Sequence, residues 1–221
     1  MSAVVLASGR GSNLAAIAAA IARGELALSL RLVLSDHSDA PALARARELG
    51  IEADAVPRAS YRDREQHEQA LARRIDQVTP GLIVLAGYMR VLSPRFVARY
   101  AGRVLNIHPS LLPEFRGLDT HARALAAGVR EHGASVHFVT DELDGGPVIA
   151  QTRVTVREND TADSLAERVL AAEHRLYPTV LEWYATGRLE LRNGHAVLDG
   201  RPLPAPVDIP APATSASGRR S

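Results

Sequence analysis

The run Asn106-Ile107-His108-Pro109 sets an amide and an imidazole two residues apart. On an extended strand that spacing turns both side chains to one side and Ile107 to the other. Pro109 holds His108 extended and ends the strand there. An amide and an imidazole side by side can both donate to one developing oxyanion, although a lone histidine at a strand end is more often structural. Further along, Thr140-Asp141-Glu142-Leu143-Asp144-Gly145-Gly146 gathers three carboxylates in one loop. A solvated acidic turn explains them equally well, and the ligand spacing of a calcium loop is absent. If Asp144, beside its glycines, reaches His108, it stabilises the charged imidazole.

Gly9-Arg10-Gly11-Ser12-Asn13 lies where a first strand turns into a first helix. Glycines there admit close approach of a ligand, and the unpaired N–H groups of a helix start favour an anion. A dinucleotide fingerprint is the competing reading, with Asp36 near the place of a ribose-binding acid, but its third glycine falls on Leu14. Glu173 sits on the apolar stripe formed by Leu165, Val169, Ala172, Leu176 and Val180. A carboxylate there is costly unless it is paired or touches a ligand. His137 shares a strand face with Ser135, either supporting the site or merely packed. No H-E-x-x-H or other metal spacing occurs, so no metal is expected. The serines lack a G-x-S-x-G elbow.

Composition removes further classes. The 221 residues include no Cys and no Lys, so thiolate, Schiff-base and P-loop-lysine mechanisms are out. Net charge is +1, with arginines scattered throughout, which gives no argument for nucleic acid. No apolar run approaches the roughly 18 residues of a membrane span, and no signal peptide is seen. A cytoplasmic location is expected.

The elements that must position these residues follow from hydrophobic runs. Strands are expected at 4–8, 28–35, 51–56, 82–86 and 103–108, alternating with helices at 12–23, 41–49, 60–77 and 94–100. That alternation implies a doubly wound α/β sheet with helices on both faces. Strands at 134–140 and 148–156 flank a tight turn and permit antiparallel pairing, so the mostly parallel sheet is mixed. A long helix at 161–185 contains Pro178, and a small hairpin follows at 189–198. One domain over 1–201 is expected, with a Pro/Ala/Ser-rich, disordered tail over 202–221.

Taken together, VVLASGRGSNLAAI (4–17), AGYMRVLSP (86–94), NIHPSLLP (106–113), HGASVHFVTDELDGGPVIAQ (132–151) and AEHRLYP (172–178) resemble the phosphoribosylglycinamide formyltransferase family. The resemblance covers about residues 3–200. It implies transfer of a formyl group from 10-formyltetrahydrofolate to the amine of 5-phosphoribosylglycinamide, by a monomer or homodimer without metal. It implies Asn106, His108 and Asp144 as catalytic residues, and Gly11, Ser12, Asn13 and Glu173 as ribonucleotide ligands. Arg64, Met89, Arg90, Val91, Leu92, Thr140, Asp141, Glu142 and Leu143 would line the folate pocket. Glu114, Arg116 and Asp119 depart from the family's usual basic, proline and histidine residues. The folate deformylases and the methionyl-tRNA formyltransferases share the catalytic set, but the former carry an N-terminal and the latter a C-terminal domain for which this chain is expected to have no counterpart.

Overall fold

A computed structural model describes residues 1–212. The first half alternates strand and helix: β1 Ser2–Leu6, α1 Ser12–Ala22, β2 Ser29–Ser35, α2 Pro41–Glu48, β3 Glu52–Ala55, α3 Arg64–Asp76, β4 Leu82–Leu85, α4 Pro94–Arg99 and β5 Val104–His108. After it come α5 Thr120–Ala126, the antiparallel pair β6 Glu131–Phe138 and β7 Val148–Thr155, and α6 Ala162–Ala185. A hairpin, β8 Leu189–Arg192 with β9 His195–Leu198, continues into two-residue strands β10 Arg201–Pro202 and β11 Val207–Asp208. The expected helix over 60–77 starts only at Arg64, because Asp63 caps it by accepting the Gln66 N–H at 2.8 Å.

One eight-stranded sheet runs in the order β11-β7-β6-β5-β4-β1-β2-β3. The strands from β5 to β3 are parallel, while β6 is antiparallel to both neighbours, so the sheet is mostly parallel and mixed. Strand alternation divides the interior in two. Val5, Val84, Leu105 and Ile107 enter a larger core beneath α1, α2 and α6. Val4, Leu6, Ile83, Leu85 and Val104 enter a smaller one beneath α3 and α4. The chain leaves β1 towards β2 and returns on its other side to β4, which opens a crevice at the carboxyl ends of those strands. The buried Tyr177 hydroxyl fixes the spacing beside that crevice, donating to the carbonyls of Leu85 at 3.0 Å and Leu105 at 2.9 Å.

The expected disorder beyond residue 201 is corrected over 202–212. Val207 and Asp208 pair in parallel with Ala150 and Gln151 on the edge of β7. Leu203, Val207, Ile209 and Ala211 pack on the larger core. Their apolar side chains and the open strand edge outweigh the Pro-rich composition. Residues 213–221, the rest of the expected tail, lie outside the described residues. Among those described, no helix is long and apolar enough to cross a membrane.

Candidate active site

A cleft of about 1290 Å³ opens at the carboxyl ends of β1, β4 and β5. Its walls are residues 9–13, 85–92, 106–109, 117–121 and 139–144, together with one face of α6. It thereby collects every site residue expected from the sequence except Arg64. Arg64 instead lines an adjoining cavity of about 230 Å³ that shares Tyr88, Arg90, Val91 and Leu92 with the cleft, and its Nε donates to Glu68 at 3.0 Å. Its place on the first turn of α3, turned to Glu68 one helical turn on, accounts for the difference.

Asn106, His108 and His137, the core of the candidate site, come from two antiparallel neighbours. Register places Asn106 opposite His137 and His108 opposite Ser135, with all four side chains facing away from the larger core. The Asn106 amide Nδ2 lies 3.1 Å from His137 Nε2, and His137 Nδ1 lies 2.9 Å from the Phe138 carbonyl. That carbonyl can only accept, so Nδ1 carries the proton and Nε2 accepts from Asn106. Burial disfavours the charged form of His137 and pushes its pKa down, which suits this acceptor role. The second Asn106 amide hydrogen takes no part in that bond, and Asn106 lines the cleft. A register shift at Val136/His137 marks a bulge in the β6–β7 ladder beside these groups.

Asp144 stands between the two imidazoles, with Oδ2 3.4 Å from His108 Nδ1 and Oδ1 3.7 Å from His137 Nε2. Oδ2 also accepts the Gly117 N–H at 2.9 Å. On the other side of the ring, His108 Nε2 donates to the Phe115 carbonyl at 3.0 Å. His108 therefore presents Nδ1 to Asp144 and to the cleft. The Ser135 hydroxyl stabilises the loop after His108, accepting from Leu112 N at 2.9 Å and donating to the Ser110 carbonyl at 2.6 Å. His137 is the side chain of this group whose place sequence reasoning left undecided. Its signal was the two-residue spacing from Ser135, but its partner Asn106 becomes visible only once the strands are paired.

At the far end of the cleft, α1 begins without a side-chain cap. The N–H groups of its first turn remain available to an anion, with Ser12 and Asn13 beside them. Gly11 is required by its left-handed φ of 71° and by Ala42, whose Cα a Cβ would meet at 2.9 Å. Room for a ligand is not the reason. Asn13 Nδ2 donates to Glu173 Oε2 at 2.7 Å, while Asn13 Oδ1 is buried and unpartnered. Burial raises the Glu173 pKa to about 7 against the opposing pull of the Asn13 bond. The dinucleotide alternative fails here. Asp36 is buried outside the cleft, accepting from Ser8 Oγ at 2.5 Å and from Arg90 Nε at 2.7 Å. Burial opposes its ionisation, but these bonds hold its carboxyl below the ordinary range.

A doubly wound sheet with an amide–imidazole–carboxylate group facing an open helix start defines a class of group-transfer enzymes, and the comparisons agree. The sequence model described as Formyl transferase matches residues 1–181. The phosphoribosylglycinamide formyltransferase of Escherichia coli is 50% identical over 204 residues, 92% of this chain and 96% of that one. The structure of the Coxiella burnetii phosphoribosylglycinamide formyltransferase, in complex with CHES, superposes with a TM-score of 0.91 at 49% identity, covering 95% of this chain and 99% of the other. A formyltetrahydrofolate deformylase from Pseudomonas syringae gives a TM-score of 0.83 at 28% identity, covering 89% of this chain and 65% of that one. The chain belongs to the formyl transferase family and, within it, to the phosphoribosylglycinamide formyltransferases.

Proposed function

We propose that the enzyme transfers the formyl group of 10-formyltetrahydrofolate to the amine of 5-phosphoribosylglycinamide, a step of purine synthesis. The observation that carries this is the spacing of two unlike ends in one cleft. The uncapped start of α1 suits the phosphate, and Asn106, His108 and Asp144 converge at the other end. Glu173, bonded to Asn13 beside the phosphate end, is placed to accept from ribose or glycinamide groups. The exposed Met89 and Val91, with Leu92 and residues 140–143, offer an apolar and backbone-rich wall for the pterin.

In the reaction the substrate amine attacks the formyl carbon, and no protein nucleophile is needed. The carbonyl oxygen becomes an oxyanion, met by the free amide hydrogen of Asn106 and by Nδ1–H of protonated His108. At 3.4 Å, Asp144 is close enough to stabilise that charge and leaves the proton available to the oxyanion. Collapse breaks the bond from the formyl carbon to N10. One proton passes from the attacking nitrogen to N10, through His108 or through a water held at Asp144. A spectrophotometric assay of folate deformylation, run with and without the ribonucleotide, tests the reading. Turnover that requires the ribonucleotide is expected; turnover indifferent to it would make the protein a hydrolase.

A further inference from the structure

Arg123 touches neither the cleft nor a catalytic side chain, yet its guanidinium meets the loop at three points. Nη1 donates to the Arg116 carbonyl at 2.6 Å and to the Leu118 carbonyl at 3.3 Å, and Cζ lies 5.7 Å from the centre of the Phe115 ring. The Arg116 carbonyl and the Gly117 N–H are the two ends of one peptide group. Arg123 holds the first end and Asp144 Oδ2 accepts from the second at 2.9 Å. A cation on the carbonyl polarises that peptide and strengthens its N–H as a donor. The ring under the guanidinium belongs to the residue whose carbonyl accepts from His108 Nε2 at 3.0 Å.

Phe115 adopts φ 53° and Asp119 φ 55°, left-handed conformations that bulky or ordinary side chains resist. Such backbone persists only where its surroundings hold it. Besides Arg123, the loop is held by the Ser110 hydroxyl on the Glu114 carbonyl at 2.6 Å, by the edge of the Phe115 ring on His132, by Ser135 and Gln151 on the Leu112 backbone, and by the Arg116–Glu142 side-chain pair. None of these other clamps reaches the peptide that serves Asp144.

We infer that Arg123 is a positioning residue for the transfer: through one peptide group it orients Asp144, and through Phe115 it fixes the angle of the His108 ring. The two catalytic groups are thereby set by a single exposed cation on α5. The inference rests on the proposed reaction for its kinetic arm only, because the His108 imidazole can be observed without any substrate.

The test is Arg123→Ala beside Arg123→Lys, with full kinetics and 15N spectra of the His108 ring. In Arg123→Ala, kcat should fall at least tenfold while KM for each substrate stays within threefold. The 15N shift of His108 Nε2 should move in the substrate-free protein, as its bond to the Phe115 carbonyl loosens. Arg123→Lys, which keeps a cation for the carbonyls but not the stacking plane, should reverse part of both changes. A folded Arg123→Ala protein with kcat within twofold of the parent, or with an unchanged His108 spectrum, would overturn the inference. If Arg123→Ala does not fold, the lysine variant decides: parental kcat and an unchanged spectrum would again overturn it. If the parent itself has no transfer activity but the His108 spectrum changes as expected, it is the proposed reaction that fails.

Discussion

The two ends of the cleft are built on different principles. The anion end uses regular structure: the first turn of α1, one left-handed glycine against Ala42, and Glu173 presented by the middle of a 24-residue helix. The transfer end uses irregular backbone, with Phe115, Asp119 and Asp144 all at positive φ and the loops at 109–119 and 140–146 tied to each other. Binding a fixed phosphate asks for rigidity that helices supply cheaply. Placing Asp144 and His108 about one carbonyl oxygen asks for angles that no regular element offers. Damage at the first end should therefore appear mainly in KM, and damage at the second mainly in kcat.

The largest effects should come from the transfer end itself. His108→Ala and Asp144→Asn should each lower turnover at least ~100-fold, the scale of a lost oxyanion donor or general acid. Steady-state assays with both substrates saturating measure this directly, and near-normal turnover in either variant would remove that residue from the mechanism. Gly11→Ala probes the opposite end. Its Cβ would press on the Ala42 backbone in a left-handed conformation that costs an L-residue roughly 1–2 kcal/mol. The expected outcome is a KM for the ribonucleotide raised tenfold or more, with kcat changed less. A loss confined to kcat would erase the proposed division of labour.

Glu173 sharpens the comparison through pH. Its carboxyl holds a proton up to about 7 in the folded protein, against the ordinary carboxylate value of 4.5. The folded state thus binds more protons between these values. Its contribution to stability is complete below about 4.5, declines as pH rises towards 7, and levels off above. A displacement of that size corresponds to something on the order of 3 kcal/mol. Glu173→Gln keeps an acceptor for Asn13 but cannot ionise. The variant should be more stable than the parent at pH 8 and lose the advantage near pH 4.5, as denaturant melts at both pH values would show. Equal pH slopes would mean that Glu173 is solvated.

These outcomes also mark what the residues alone disclosed. The parallel half of the sheet was legible because buried strands are continuous apolar runs, and Asn106 and His108 because a two-residue spacing has one meaning on a strand. Glu173 stood out as a charge on an apolar stripe. What stayed hidden depends on pairing between distant segments. His137 needed the β5–β6 register, and β11 needed the free edge of β7, which overrode the Pro-rich composition. Arg64 turns to Glu68 and lines a smaller cavity that shares Tyr88, Arg90, Val91 and Leu92 with the cleft, a direction that resemblance alone does not disclose. Arg123 gave no signal at all, since its partners are carbonyls of a loop that folds back on its own helix.

The smallest expected effect separates the two kinds of tie at the transfer end. Arg116 and Glu142 form an ion pair across the mouth of the cleft, between side chains 39% and 62% exposed. An exposed pair of this kind contributes only about 0–1 kcal/mol and is screened by salt. Arg116→Ala leaves the Arg116 carbonyl, and hence the peptide between Arg123 and Asp144, in place. Its kcat should therefore fall no more than about threefold at low ionic strength, and the deficit should vanish near 0.5 M salt, where the Debye length has shrunk to a few ångström. A deficit beyond tenfold that persists in high salt would show that side chains across the mouth, rather than backbone groups beneath it, hold His108 and Asp144 together. Arg123 would then lose its distinctive place.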